Sequence, residues 1–140
     1  MPAIIATVTD DASDLAELTR ADCLRLLSTA PIGRIAVITA DGLPMVVPVN
    51  FVLDGETILF KTDPGTKVDA LRRHPVAFQA DHFDTDTRRG WSVLVQGIAH
   101  EVAPDEVGRM TLQPWVPGER RQWVRVVPRF VTGRRIGPPD

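Results

Sequence analysis

The fold of this 140-residue chain is decided by residues 34–62, which read RIAVITADGLPMVVPVNFVLDGETILFKT. Runs rich in β-branched and aromatic residues are separated here by Asp41-Gly42 and Asp54-Gly55. Asp-Gly pairs favour tight hairpin turns because both positions tolerate positive φ. The segment therefore predicts an antiparallel meander, with strands over 35–39, 43–53 and 57–62.

Periodicity outside the meander extends the prediction to most of the chain. Thr19 can cap a helix with an apolar stripe, and Pro31 and Gly33 end that helix. The other predicted elements are a short helix over 67–73, strands over 76–81, 91–102 and 123–136, a polar loop over 84–90, helical turns over 104–110 and an irregular segment over 111–122.

Glycine and proline refine this arrangement. Gly97 indicates a bulge or bend in its strand, and Pro48 and Pro128 each indicate a sheet edge or a bulge. Six strands with short helices suit a small closed barrel, because closure removes exposed strand edges. The expected fold class is mainly β, a six-stranded antiparallel split β-barrel with short peripheral helices.

Composition narrows the class of protein. A hydrophobic fraction of 44% and a length of 140 residues predict one globular domain over 18–140, preceded by a flexible arm over 1–17. The net charge of −2 argues against nucleic-acid or membrane partners. One cysteine, Cys23, and an N-terminus without a positive flank or a long apolar run predict a cytoplasmic protein. Cys23 lies on an apolar helix stripe, which is typical of a buried, inert thiol.

The junction after the third strand carries the chemistry that is readable from the residues. The strand ends at Thr62, a Pro-Gly turn follows, and Thr66 and Lys67 begin the next helix. Free amides at a helix N-terminus attract anions, and hydroxyl and ammonium groups add donors. The segment is either a phosphate site or a plain capped helix with Lys67 in solvent.

The order of several short motifs favours the phosphate site. They are Ile32-Gly33-Arg34-Ile35-Ala36, Asp41-Gly42-x-Pro44, Pro48-Val49-Asn50-Phe51, Phe60-Lys61-Thr62-x-x-Gly65-Thr66-Lys67, Leu71-x-x-x-Pro75-x-Ala77-Phe78 and Gly90-Trp91-Ser92-Val93-x-Val95-x-Gly97. In this order and spacing the chain resembles the FMN-binding split barrels of the pyridoxamine 5′-phosphate oxidase-like superfamily.

The resemblance implies roles for particular residues. Thr62, Thr66 and Lys67 would hold the ribityl phosphate, and Lys61 occupies a neighbouring position that often contributes. Lys61 and Thr62 point to opposite faces of a strand, so both side chains cannot contact the phosphate unless the strand twists. Thr62 is the first choice as the phosphate ligand. No side chain is predicted to be a catalyst.

Two further segments match parts of the family that reach the ring of the cofactor. The backbone of Pro48-Val49-Asn50 would run along the isoalloxazine, although Asn50 can equally be a solvent-facing strand residue. Trp91 and Ser92 match a strand that approaches the cofactor from the partner subunit. Trp91 can instead be an ordinary core residue.

The function implied by the resemblance is that of a homodimeric flavin oxidoreductase acting on a small molecule, with FMN bound between the subunits. A deazaflavin is the alternative cofactor, and a flavin or small-ligand carrier without turnover is the alternative function. The resemblance implies a longer C-terminal tail with substrate-binding arginine and histidine in the true oxidases of the family. No histidine follows His100 in this chain, so pyridoxamine-phosphate oxidase activity is disfavoured. No metal site is predicted, since Asp81-His82-x-Asp84 reads as a solvated charge cluster.

Overall fold

A computed structural model describes residues 15–63, 66–108 and 122–137, without the side chains of residues 66–68. Three short helices interrupt the succession of seven strands along these ranges. In chain order the elements are β1 (Leu15–Glu17), α1 (Arg20–Leu27), β2 (Ile32–Ile38), β3 (Pro44–Asp54), β4 (Thr57–Thr62), α2 (Thr66–Arg73), β5 (Val76–Asp84), β6 (Arg89–Val102), α3 (Pro104–Val107) and β7 (Gln122–Ile136).

The strands form one antiparallel sheet in the order β1-β7-β4-β3-β2-β5-β6, and β6 also pairs with β7. This last pairing closes β2 to β7 into a six-stranded barrel, while β1 lies outside the ring. Closure gives each barrel strand two neighbours, which removes the edges of an open sheet. The predicted six-stranded antiparallel barrel with short helices is confirmed.

The last three residues of the predicted arm over 1–17 form strand β1. Leu15 pairs with Ile136 and Glu17 pairs with Arg134, both on β7. This side of β7 is open to β1 because the pairing of β4 with β7 extends only as far as Val126. Residues 1–14 of the arm lie outside the described ranges.

Helix α1 begins where the sequence predicts. The Thr19 hydroxyl accepts a hydrogen bond from the N–H of Asp22 at 3.1 Å, which satisfies one of the free amides at the helix start. The helix ends at Leu27, earlier than its apolar stripe suggests. The N–H of Ala30 bonds to the carbonyl of Leu27, three residues back, and so closes the last turn.

Gly33 does not end a helix but lies inside β2, so that part of the prediction was wrong. The strand begins at Ile32 rather than at residue 35. A Cβ at Gly33 would come within 2.1 Å of the Phe78 ring. Because glycine has no side chain, Phe78 can pack directly on the backbone of β2.

Both predicted hairpins form, but only their glycines adopt positive φ. Gly42 has φ 79° and Gly55 has φ 61°, while Arg88 is the one non-glycine residue with positive φ in the described ranges. In the second hairpin Asp54 pairs with Thr57, so the loop is Gly55-Glu56. The turn is therefore one residue later than predicted, since Asp54 stays in the ladder and glycine takes the first loop position.

The predicted bulge at Gly97 is confirmed in the seam between β6 and β7. Gln96 pairs with Phe130 but Gly97 pairs with Pro128, so Arg129 is the extra residue. A Cβ at Gly97 would meet the carbonyl oxygen of Val127 at 2.1 Å. Pro128 thus lies at an irregular position, where its missing N–H disturbs the ladder least.

Strand β3 changes partner halfway along its length, which splits the barrel. Residues 44–50 pair with β2, whereas residues 51–54 pair with β4. Pro48 pairs with Arg34, and in the described ranges no strand pairs with its other side. The predicted edge position of Pro48 is confirmed, and the site described below lies where β3 and β4 separate.

Several element ends differ from the prediction. Strand β5 continues to Asp84, so the predicted loop over 84–90 contracts to a turn over 85–88. The Asp84 carboxylate causes this, because it accepts hydrogen bonds from the N–H groups of Asp86 and Thr87 at 2.8 and 3.1 Å. Helix α3 ends at Val107, and the irregular segment predicted over 111–122 lies outside the described ranges except for Gln122, which begins β7.

The barrel interior is filled by apolar side chains from all six strands and from α1. The rings of Phe51 and Phe78 meet edge to face with centroids 4.7 Å apart, a favoured aromatic geometry. Cys23 and Leu27 of α1 join the same core. No helix in the described part of the chain is long and apolar enough to cross a membrane.

Candidate functional site

Thr62 is the one buried polar residue in the described ranges, and its hydroxyl has no hydrogen-bond partner there. It is the last residue of β4 and has no exposed surface. Leaving a buried hydroxyl unpaired costs about 1–3 kcal/mol. Such a cost at a strand end favours a partner supplied by a ligand or by the neighbouring loop.

Helix α2 begins at Thr66, four residues after Thr62. The strand therefore passes almost directly into a helix N-terminus, where backbone N–H groups lack intrahelical partners. The predicted phosphate ligands Thr66 and Lys67 begin this helix, and their side chains lie outside the described part of the molecule. A buried hydroxyl next to a helix N-terminus is an arrangement suited to an anion.

Lys61 lies on the opposite face of β4 from Thr62. Its ammonium group stands 4.7 Å from the centre of the Trp123 ring, within the range of a cation–π interaction. Trp123 is the residue paired with Lys61 across the β4–β7 ladder. The structure thus gives Lys61 a partner away from the Thr62 hydroxyl, and it does not bring the two side chains together.

The predicted ring-binding segment, Pro48 to Asn50, belongs to the part of β3 that pairs with β2 on one side and not with β4 on the other. Alternate residues of such a strand direct N–H and C=O groups away from the paired neighbour. Val49 points into the core and is 8% exposed. Asn50 donates a hydrogen bond from Nδ2 to the carbonyl of Pro31 at 3.0 Å. This part of the strand therefore offers backbone groups to a ligand, with Asn50 anchoring it to the start of β2.

Ser92 belongs to a polar cluster on the outer face of the sheet. Nε2 of Gln79 donates to Asp81 Oδ2 at 2.7 Å and to Ser92 Oγ at 3.3 Å. Arg34 contacts both Gln79, at 3.3 Å, and Asp81, at 3.5 Å. Arg34 is also the ladder partner of Pro48. The cluster therefore connects Ser92 on β6 with Pro48 on β3 across three intervening side chains.

Sequence reasoning did not single out Gln79. It quoted Arg34 only as part of a motif, and it named Asp81 only in a charge cluster that was set aside as a metal site. Alternation along each strand places these residues on one face. Their meeting depends on the pairing register of β2 with β5 and of β5 with β6, which separate strand patterns do not contain. The signal in the sequence was the polar character of Gln79 and Asp81 among the apolar residues of the strand predicted over 76–81.

The side chain of Trp91 points to the other side of the sheet from that of Ser92, so the structure does not bring these two predicted ligands together. Trp91 packs against the core and lines a cavity beneath α1. Strand β6 has neighbours on both sides, and one ligand cannot reach around it. The reading of Trp91 as a packing residue fits this position, while Ser92 remains on the face shared with Pro48.

Two groups in the described ranges have shifted pKa values. Burial raises the pKa of the Cys23 thiol, and the Asp22 carboxylate adds to the effect. A raised pKa leaves little thiolate at neutral pH, which fits an unreactive thiol. Hydrogen bonds from the backbone N–H groups of Thr87 and Asp86 lower the pKa of Asp84. In the part of the chain that the structure describes, no group of three or more His, Cys, Asp or Glu side chains is placed to hold a metal ion.

The family to which the chain belongs follows from comparison with known proteins. The sequence model described as pyridoxamine 5′-phosphate oxidase matches residues 19–135. The chain belongs to the pyridoxamine 5′-phosphate oxidase family. The matched residues include β2 to β6 and all of β7 except its last residue, Ile136.

Individual relatives agree in sequence and in fold. An uncharacterized protein of Mycobacterium tuberculosis is 37% identical over 134 residues, which cover 89% of this chain and 88% of the relative. The FAD binding protein of Mycobacterium smegmatis is 36% identical, with a TM-score of 0.67 over 87% of this chain and 98% of that one. A candidate pyridoxamine 5′-phosphate oxidase of Corynebacterium glutamicum is 31% identical, with a TM-score of 0.77 over 91% and 96%.

Proposed function

We propose that this chain binds a flavin, with the ribityl phosphate at the junction of β4 and α2, and that it transfers electrons or hydride between the flavin and a small molecule. The observation that carries the proposal is the buried Thr62 hydroxyl without a partner in the described ranges. A phosphate oxygen is a strong acceptor for a hydroxyl proton. The FAD binding protein that is 36% identical supports a flavin as the ligand class.

Different residues would contact the phosphate end and the ring end of the cofactor. Thr62 would donate to the phosphate, and Thr66 and Lys67 would add a hydroxyl and a positive charge next to free helix amides. The unpaired side of β3 at Pro48 to Asn50 would offer backbone groups to the ring. The flavin would supply the redox chemistry, while these residues would bind and orient it.

FMN is the cofactor we propose, and FAD and a deazaflavin are the alternatives. All three carry a phosphate on the ribityl chain, so the contacts of Thr62 serve each of them. FAD has a specific observation in its favour, since the related Mycobacterium smegmatis protein binds it. Competition titrations with FMN, FAD and a deazaflavin rank the cofactors directly.

Apolar residues on the outer face support a homodimer. Val46 is 63% exposed and Phe130 is 59% exposed. Ladder partners connect them in one row across the sheet, through Ala36, Ala77 and Gln96. Exposed apolar surface of this kind is typical of an interface. A second copy seated here would also cover Ser92, which would approach the partner's flavin.

The free Cys23 thiol fits a reducing compartment such as the cytoplasm.

The absorbance spectrum of the purified protein tests the proposal. We expect flavin bands that are released on denaturation, followed by identification of the released flavin by chromatography. A protein that is colourless and takes up no added FMN, FAD or deazaflavin would refute flavin binding. Steady-state assays with reduced nicotinamide and an electron acceptor then test turnover, and a bound flavin without turnover would favour a carrier.

A further inference from the structure

A cavity of about 420 Å³ lies between helix α1, the β5–β6 hairpin and the end of β7. Trp91 lines it, so the cavity lies on the side of the sheet opposite to Ser92. Sites for small molecules in proteins have volumes of roughly 300–1,000 Å³. The cavity is therefore large enough for a compact organic ligand, and it lies apart from the Thr62 junction and from the outer face.

One side of this cavity is apolar. Trp91 forms part of the wall, and Leu18, Leu26 and Ile136 surround it. Trp91 is only partly buried although it packs against the core. A partly exposed indole that lines a cavity beside aliphatic side chains can stack on a planar ring.

The other side of the cavity is cationic. Arg135 is the ladder partner of Trp91, and Arg25 reaches the cavity from α1. In the described ranges no carboxylate lies within ion-pair distance of Arg135, whereas Arg25 has Asp22 at 3.4 Å. The second acid of the lining, Asp84, accepts hydrogen bonds from the amides of its own turn. Positive charge is thus left available next to the aromatic wall.

We propose that this cavity is a second binding site, one that takes a small organic anion carrying a flat ring. The ring lies against Trp91, and the anionic group is bound by Arg135 with help from Arg25. A guanidinium binds carboxylate, sulfonate and phosphate groups through paired hydrogen bonds, so each of these anions fits the chemistry. This site adds to the flavin function and does not depend on it.

The test is a titration of the ¹⁵N-labelled protein, saturated with flavin, with naphthalene-2-sulfonate. We expect the assigned indole signal of Trp91 to shift in a saturable way. Arg135→Gln is expected to weaken the affinity about tenfold or more, as loss of one charge-assisted contact does. The neutral analogue 2-naphthalenemethanol is expected to bind the wild type about tenfold more weakly for the same reason.

Arg129→Gln is the matched control, because Arg129 is an exposed residue of the same strand at the bulge and does not line the cavity. Its affinity is expected to equal that of the wild type. An unmoved Trp91 signal, equal affinity in wild type and Arg135→Gln, or a loss equal in both variants would overturn the proposal. Release of flavin in step with sulfonate binding would also overturn it, since the cavity would then belong to the flavin site. If the chain binds no flavin, the naphthalene-2-sulfonate titration is carried out without it, and the Trp91 indole signal is read in the same way.

Discussion

Thr57 and Thr62 are the same residue type at the two ends of strand β4, but their hydroxyls have opposite surroundings. Thr57 donates to the carbonyl of Asp54 at 2.8 Å and accepts from Arg125. Arg125 also pairs with the Asp54 carboxylate at 2.9 Å. Thr62 is buried and has no partner in the described ranges.

This difference separates a residue that stabilises the fold from one suited to a ligand. Folding normally pairs polar groups that are removed from solvent, as it does for the partly buried hydroxyl of Thr57. A buried hydroxyl that stays unpaired is destabilising unless a ligand or the neighbouring loop bonds to it. Variants at and around the two threonines can break or sharpen the contrast.

The largest effect is expected at the Thr62 end for Lys67→Ala. Flavin affinity should fall about 10- to 100-fold, because a charge-assisted hydrogen bond contributes about 1.5–3 kcal/mol. Titration of the flavin-free protein measures this. Lys61→Ala is the matched control, since the ammonium of Lys61 lies over Trp123 on the other face. Equal affinity in wild type and Lys67→Ala would return Lys67 to the role of a surface lysine.

Thr62→Val keeps the shape of the side chain and removes only the hydroxyl. We expect flavin affinity to fall about 5- to 30-fold, corresponding to about 1–2 kcal/mol for one hydrogen bond. The free energy of unfolding without flavin should stay the same or rise by up to about 2 kcal/mol, because a buried unpaired group is removed. Chemical denaturation measures the second quantity. A clear loss of stability would mean that Thr62 is paired within the chain.

Thr57→Val is expected to give the reverse pattern. The free energy of unfolding should fall by about 1 kcal/mol, because the hydrogen bond to Asp54 and the support of Arg125 are lost. Flavin affinity should not change. If Thr57→Val weakened flavin binding as much as Thr62→Val, the two ends of β4 would not differ in function.

Asp84→Asn is expected to have the smallest effect, since Asp84 is an exposed residue whose carboxylate accepts hydrogen bonds from two N–H groups of its own turn. Its pKa is lowered in the folded protein, so the carboxylate contributes stability above its unfolded value of 3.8 and loses it as the pH falls through the folded value. Unfolding measured from pH 6 down to pH 3 should show the wild-type advantage shrinking at the acid end. If wild type and Asp84→Asn differed in the free energy of unfolding by the same amount at all pH values, the lowered pKa of Asp84 would be contradicted.

The sequence was enough for the elements whose pattern is local. The meander over 34–62, the Thr19 cap and the bulge at Gly97 follow from alternation, capping chemistry and glycine. The position of Gly33 under Phe78 and the shift of the second turn to Gly55-Glu56 depend on packing between strands, which a single strand pattern does not contain.

The same limit applies to the candidate site. The family resemblance assigned the phosphate to Thr62, and strand alternation added that Lys61 points to the opposite face. The burial of the Thr62 hydroxyl without a partner in the described ranges agrees with that choice. The separation of Trp91 from Ser92 also follows from alternation, but the motif resemblance grouped them together. The cluster of Arg34, Gln79 and Asp81 needed the register of three strands.

The most direct test of the central claim is the ratio of the affinities for FMN and riboflavin, which differ only by the phosphate. We expect the wild type to prefer FMN by about tenfold or more, as phosphate contacts from Thr62, Thr66 and Lys67 require. In Thr62→Val that preference should shrink, while in Thr57→Val it should remain. Equal affinity of the wild type for both ligands, or an unchanged ratio in Thr62→Val, would contradict a phosphate site at the end of β4.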